Sequence, residues 1–246
     1  DLMKSKIIIL VIALTLIASV GIMLYLVKIR GVAHAVNVSR DEYPILGVDL
    51  SSHNGDIDFN RLKADSVDFV MLKATEGTTF KDPKFNRNYT EARKAGISHI
   101  GAYHFFRFDT DGEMQAMNLI NSLRGKTIDL PVAIDLEEWT NPKHLDTDEV
   151  VTRLQAMIDY LEINGLTILF YTNKDGYQRF VRDRFDDYPL WICSFTDPPL
   201  GDDNNDWALW QYSHWGWTEA CDTEVDLNTF NGDREQWLQW VKSSTF

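Results

Sequence analysis

From residue 45 onward, short apolar runs rich in β-branched and aromatic residues alternate with polar, helix-like stretches. This alternation limits the possible folds more than any other feature of the chain. The runs are "ILGVDL" ending at Leu50, "DFVMLKAT" at Thr75, "HIGAYHFF" at Phe106, "LPVAIDLE" at Glu137, "LTILFYT" at Thr172, "PLWICSF" at Phe195, "WALWQY" at Tyr212 and "EVDLNTF" at Phe230. Strands that are apolar on both faces and separated by helices form a parallel sheet covered by those helices. Phe85, Tyr89 and Ala92 recur at helical spacing before Gly96, and Met114, Met117 and Leu123 before Gly125. The stretch "DTDEVVTRLQAMIDYLEING" opens on an Asp/Thr cap and closes at Gly165. Eight strand runs favour a closed barrel over an open sheet. "TDPPLGDDNND", after the sixth run, reads as loop. The expected class is therefore α/β: an irregular, TIM-like (β/α) barrel of about eight strands and fewer than eight helices.

A different segment precedes the barrel. From Ile7 to Val27 the chain carries no charge, which is long enough to cross a bilayer core of roughly 30 Å at about 1.5 Å per residue. One transmembrane helix is expected there. "AHA", Ala33 to Ala35, fits a small-x-small cleavage site. However, the apolar run exceeds the roughly 7–15 residues of a signal-peptide core, and Lys28 and Arg30 intervene. An uncleaved anchor is the expectation, with balanced flanking charges that leave its orientation open. The organisation read from the sequence is an anchor over 1–30, a linker over 31–44 and a barrel domain over 45–246. The net charge is −13, and five of the basic residues but only one acid lie in the first 40 positions. So acidic a domain excludes nucleic acid as a partner. The two cysteines, Cys193 and Cys221, make no metal-ligand pattern. Cys193 reads as a core thiol, with a disulfide to Cys221 left open. No metal or cofactor is expected.

In parallel α/β architectures, functional residues gather at the carboxyl ends of strands. Asp49 ends the first run, Asp135 and Glu137 the fourth, and Asp226 lies in the last; a barrel would gather all four around one mouth. Strand residues i and i+2 share a face, roughly 6.6 Å apart. Asp135 and Glu137 therefore point together, and Glu138 points away. Two carboxyls held close cannot both ionise easily, so one pKa rises. That supplies a general acid near neutral pH beside a second group that stays anionic, the division of labour used in glycoside hydrolysis. A D-x-E motif is short, and solvated loop acids or an oxygen-ligand metal site remain alternatives. Tyr103, Tyr171 and Trp191 stand near strand ends and suit the C–H faces of sugar rings. His104 and Gln211 join them as candidate substrate-binding residues, with core packing the alternative for each and a satisfied core histidine the alternative for His104.

Eight segments in order carry a specific likeness: "GVDLSSHNGDIDF", "FVMLKATEGTTFKDPKF", "AGISHIGAYHFFR", "LPVAIDLEE", "LFYTN", "PLWICSF", "LWQYS" and "VDLNTFNG". Together they resemble glycoside hydrolase family 25, the N-acetylmuramidase type of lysozyme, over nearly all of residues 45–232. The resemblance implies a metal-free β/α barrel that cleaves the β-1,4 bond between N-acetylmuramic acid and N-acetylglucosamine in peptidoglycan. It implies Glu137 as general acid/base. Asp135 would be its stabilising partner, assisting attack by the substrate's own acetamido group with net retention. Asp49 and Asp226 match the family's two other acids. The segment "HWGWTEACDTE" (214–224) departs from the simpler Gly-rich turn usual there, and Cys193 is unusual in its strand. The expected partners are peptidoglycan glycan strands and, through residues 7–27, a membrane, with the domain on the cell-wall side. A non-catalytic glycan-binding module would keep the aromatics but would not need the acids.

Overall fold

The computed structural model describes residues 19–22, 36, 38–200 and 206–244. The chain divides into two units, Asp1–Ala35 and Val36–Phe246. In the first, residues 19–22 are helical and exposed. The rest of the expected membrane span over 7–27 lies outside the described residues, and no described helix is long and apolar enough to cross a membrane.

The second unit is built on strands β1 (Leu46–Leu50), β2 (Phe69–Glu76), β3 (Phe80–Lys81), β4 (His99–Phe105), β5 (Val132–Asp135), β6 (Ile168–Asn173), β7 (Leu190–Cys193), β8 (Leu209–Gly216) and β9 (Val225–Phe230). Helices α1 (Phe59–Ala64), α2 (Phe85–Lys94), α3 (Gly112–Leu123), α4 (Thr147–Ile163) and α5 (Arg234–Ser244) surround it, with shorter helical turns between. The sheet runs β1-β9-β8-β7-β6-β5-β4-β2, and pairing of β2 with β1 closes the barrel of eight strands. All eight expected runs lie in it. The two-residue β3 is an addition, paired antiparallel to the end of β2.

The expectation of a wholly parallel sheet is corrected at one strand. β9 runs antiparallel to both β1 and β8. No helix separates β8 from β9, and a direct return without a crossover can only pair strands antiparallel. The loop expected after β7 is present: among the described residues no helix lies between β7 and β8. α2, α3 and α4 match their expected segments. Asp111 and Asp146 cap α3 and α4 through their carboxylates, and Gly96, Gly125 and Gly165 follow the three helices at positive φ.

Strand alternation separates two apolar layers. Val48, Leu50, Val70, Leu72, Ile134, Phe170 and Ile192 pack outward against the helices. Phe69, Met71, Ala133, Leu169, Tyr171, Trp191 and Leu209 fill the barrel interior. Interior volume is balanced by glycine: a Cβ on Gly47 would lie 2.1 Å from the Phe69 ring, and one on Gly101 would lie 2.2 Å from the Met71 sulfur. Large side chains from β2 thus occupy space left by its neighbours, as close packing demands. α5 closes the bottom of the barrel. Its Trp237 is 1% exposed and packs on Phe69 and Phe230, with ring centroids 5.1 and 5.2 Å away. The opposite end is formed by the carboxyl termini of the seven parallel strands and the start of β9. Both cysteines are free thiols. Cys193 faces the interior and Cys221 the outer layer.

Candidate active site

Asp135 is the last residue of β5, and the backbone beyond it stays fixed. Its carbonyl accepts from Phe106 N at 3.0 Å, and Leu136 N donates to the Tyr171 carbonyl at 2.8 Å. Thr172 Oγ1 donates to the Leu136 carbonyl at 2.7 Å. Leu136 is driven outward into the apolar layer, so Glu137 returns to the inside. Asn141 then locks the loop: its Nδ2 donates to the Glu137 carbonyl at 2.8 Å and to that of Phe106 at 2.9 Å. Glu138 turns away and pairs with Arg179, as the alternation predicts.

Asp49, Tyr103, Asp135, Glu137, Tyr171, Trp191, His214 and Asp226 line one cavity of about 130 Å³. It therefore brings together all four predicted acids and three predicted aromatic residues. Asp49 and Asp226 are direct cross-strand neighbours on β1 and β9. Asp49 Oδ2 accepts from Gln211 Nε2 and from Asn228 Nδ2, both at 2.8 Å. Tyr171 OH donates to Gln211 Oε1, and Trp191 Nε1 donates to Asn228 Oδ1, each at 2.8 Å. One chain of bonds thus runs Tyr171, Gln211, Asp49, Asn228, Trp191 across five strands. Gln211, 1% exposed, has both ends of its amide engaged and holds Asp49; it does not line the cavity.

His104 is corrected. It follows Tyr103, so it takes the opposite face of β4, where it is 0% exposed. Its Nδ1 lies 2.7 Å from Thr75 Oγ1 and its Nε2 lies 3.0 Å from Gln115 Oε1. It is a satisfied core histidine behind the barrel wall, and the parity of the strand gave the signal.

The sequence reading missed His214, Asn228 and Lys73. His214 Nδ1 donates to Asp226 Oδ1 at 2.8 Å. The β8–β9 register shifts between Gln211 and Ser213 and again before Gly216, so simple alternation does not find it. Lys73 pairs with Glu76 at 2.8 Å and sits over the Phe105 ring, 5.1 Å from its centroid.

Burial first, and then the Glu137 charge, pushes the Asp135 carboxyl well above the usual range; Lys73 opposes the shift. Burial also raises Glu137, reinforced by Asp226 and opposed by His214 and Lys73. Asp49 is raised well above its ordinary value by burial and by Asp226. Asp135 Oδ1 is buried and has no hydrogen-bond partner, a costly state for a carboxylate with a purely structural role. The result is a pair of carboxyls that titrate together and retain a proton beyond the normal carboxylate range. Glu137 is the less buried of the two. Aromatic faces flank them, with the Tyr171 and Trp191 centroids 4.5 Å apart and those of Tyr103 and Trp191 6.4 Å apart.

A proton-bearing carboxyl beside an anionic one, at the carboxyl ends of a barrel's parallel strands and walled by aromatics, defines a carboxylate-dependent glycoside hydrolase. Residues 48–220 match the sequence profile of glycosyl hydrolases family 25, and the chain belongs to that family. The autolytic lysozyme of Clostridium acetobutylicum is 31% identical over 185 residues, covering 75% of this chain and 55% of the relative, so the match spans little more than half of that protein. Lysozyme M1 of Streptomyces globisporus is 30% identical over 213 residues, with 80% of this chain and 71% of the relative covered. A solved family 25 glycosyl hydrolase from Bacillus anthracis superposes with a TM-score of 0.75 at 34% identity, covering 84% of this chain and 97% of that one.

Proposed function

We propose that the barrel is a muramidase that cleaves the β-1,4 bond between N-acetylmuramic acid and N-acetylglucosamine in peptidoglycan. The observation that carries this reading is the gathering of Asp49, Asp135, Glu137 and Asp226 in one small cavity. Glu137, less buried than Asp135, acts as general acid, protonating the leaving oxygen, then as general base toward water. Asp135, deeper in the cavity, orients the substrate's acetamido group and stabilises the positive charge that develops on it, giving net retention. Asp49 and Asp226 hold the sugar and add negative potential where an oxocarbenium-like centre forms. Tyr103, Tyr171 and Trp191 pack against the sugar faces. Family membership and the lysozyme relatives support the substrate class.

The proposed organisation keeps residues 1–30 as a membrane anchor, 31–44 as a linker and 45–246 as the hydrolase, with the hydrolase on the cell-wall side. The uncharged run from Ile7 to Val27 supports the anchor. To test the activity, the full chain in detergent is incubated with purified glycan strands and new reducing ends are counted over time. A steady rise is expected; no rise with folded protein contradicts the proposal.

A further inference from the structure

His214 is held on several sides. Its ring meets Phe195 edge-on, with centroids 4.9 Å apart, and Trp215 at 5.7 Å. Its Nδ1–H donates to Asp226, and its Nε2 lies 3.7 Å from Cys193 Sγ. The same ring forms part of the wall of the cavity that contains Glu137. The titratable and charged groups facing it are Asp226 on β9, Asp49 on β1, Glu137 beyond β5 and the Cys193 thiol on β7. Lys73, on β2, acts on Asp135 and Glu137 from another side.

We propose that His214 is a positioning residue of the hydrolytic site: its Nδ1–H holds the Asp226 carboxylate in the cavity, and the proton on its Nε2 sets the charge against which Glu137 holds its own proton. The inference rests on the muramidase reading for its kinetic consequence but not for the coupling itself. The Nδ1–H bond to Asp226 is present in both the imidazolium and the Nδ1–H neutral tautomer. In the neutral form Nε2 is free to accept from the Cys193 thiol, which favours that tautomer. Gain or loss of the Nε2 proton therefore leaves Asp226 in place while switching one positive charge inside the cavity. Burial opposes the imidazolium, but the bond to Asp226 and the charges of Asp226, Asp49 and Glu137 outweigh it and raise the His214 pKa. The imidazolium weakens the hold of Glu137 on its proton. Glu137 therefore gives up its proton at a lower pH beside the imidazolium than it would beside an uncharged side chain, which would leave it a usable acid further into the alkaline range.

Two measurements on the full chain test this. The first is the NMR titration of His214 without substrate, in wild type and in Asp226→Asn. A lower midpoint in Asp226→Asn is expected; the same midpoint in both overturns the coupling, whatever the protein does to a cell wall. The second is the pH profile of kcat/KM for wild type, His214→Asn and His214→Ala, with circular dichroism to confirm folding. Asn places an amide N–H near the Nδ1 position without a titrating charge. His214→Ala is expected to lose roughly tenfold or more in kcat, and His214→Asn to recover part of it. The alkaline limb of His214→Asn should move upward by roughly half to one pH unit. An unmoved limb, or equal loss in the two variants, overturns the positioning role. A wild type that digests no glycan overturns the muramidase reading and leaves the coupling to the NMR result.

Discussion

Replacing Glu137 with glutamine removes a titratable proton while keeping the side chain's volume. The Asn141 bond goes to the Glu137 backbone carbonyl and survives the change. General acid–base catalysis contributes about 10²- to 10⁴-fold, or about 2.7–5.5 kcal/mol of transition-state stabilisation. Turnover on purified glycan strands should fall by that factor. Stability should move the other way. Burial, together with the Asp226 charge, holds the Glu137 pKa above its unfolded value, and Glu137 in turn is the leading charge that raises Asp135. An acid whose folded pKa is raised keeps its proton in the native state after the unfolded chain has lost it, so native stability falls as pH rises through that interval. Glu137→Gln escapes this loss. In urea denaturation it should be more stable than wild type at pH 8, and the difference should close near pH 4. A variant that keeps a tenth or more of wild-type turnover, or is less stable than wild type at pH 8, refutes the reasoning.

Other perturbations separate neighbouring roles. Asn228→Leu removes one donor to Asp49 and orphans Trp191 Nε1; it should cost about 1–3 kcal/mol by denaturant titration and lower kcat. Glu138→Gln weakens a partly exposed pair with Arg179, so it should keep full turnover and change stability by about 1 kcal/mol or less. Burial holds His104 down to about 4. The unfolded chain therefore takes up a proton that the native state refuses, and stability falls as pH drops from about 6.5 to about 4, by up to about 3 kcal/mol. His104→Gln should remove that part of the slope in urea titrations at pH 7 and 5.

The barrel could be read in the sequence because its strands are apolar on both faces, which only a covered sheet satisfies. The i, i+2 rule also separated Asp135 and Glu137 from Glu138 without coordinates. The same rule, applied to Tyr103 and His104, would have kept the histidine out of the site, since adjacent strand residues cannot share a face. The direction of β9 was not legible: "EVDLNTF" reads alike either way, and only the missing crossover helix decides it. His214 was hidden for a related reason. Two register shifts in the β8–β9 pairing turn it inward out of step with the alternation. The tie of Asp49 to Gln211 and Asn228 spans more than 160 positions, and no local pattern announces it.

The central claim is that these four acids cut the glycan at the muramic acid side. It is tested most directly by digesting purified peptidoglycan with the full chain, reducing the products with borohydride and identifying the reduced sugar. Muramitol ends, absent after treatment with Glu137→Gln, are predicted. Glucosaminitol ends, or muramitol ends formed equally by the variant, would contradict the account.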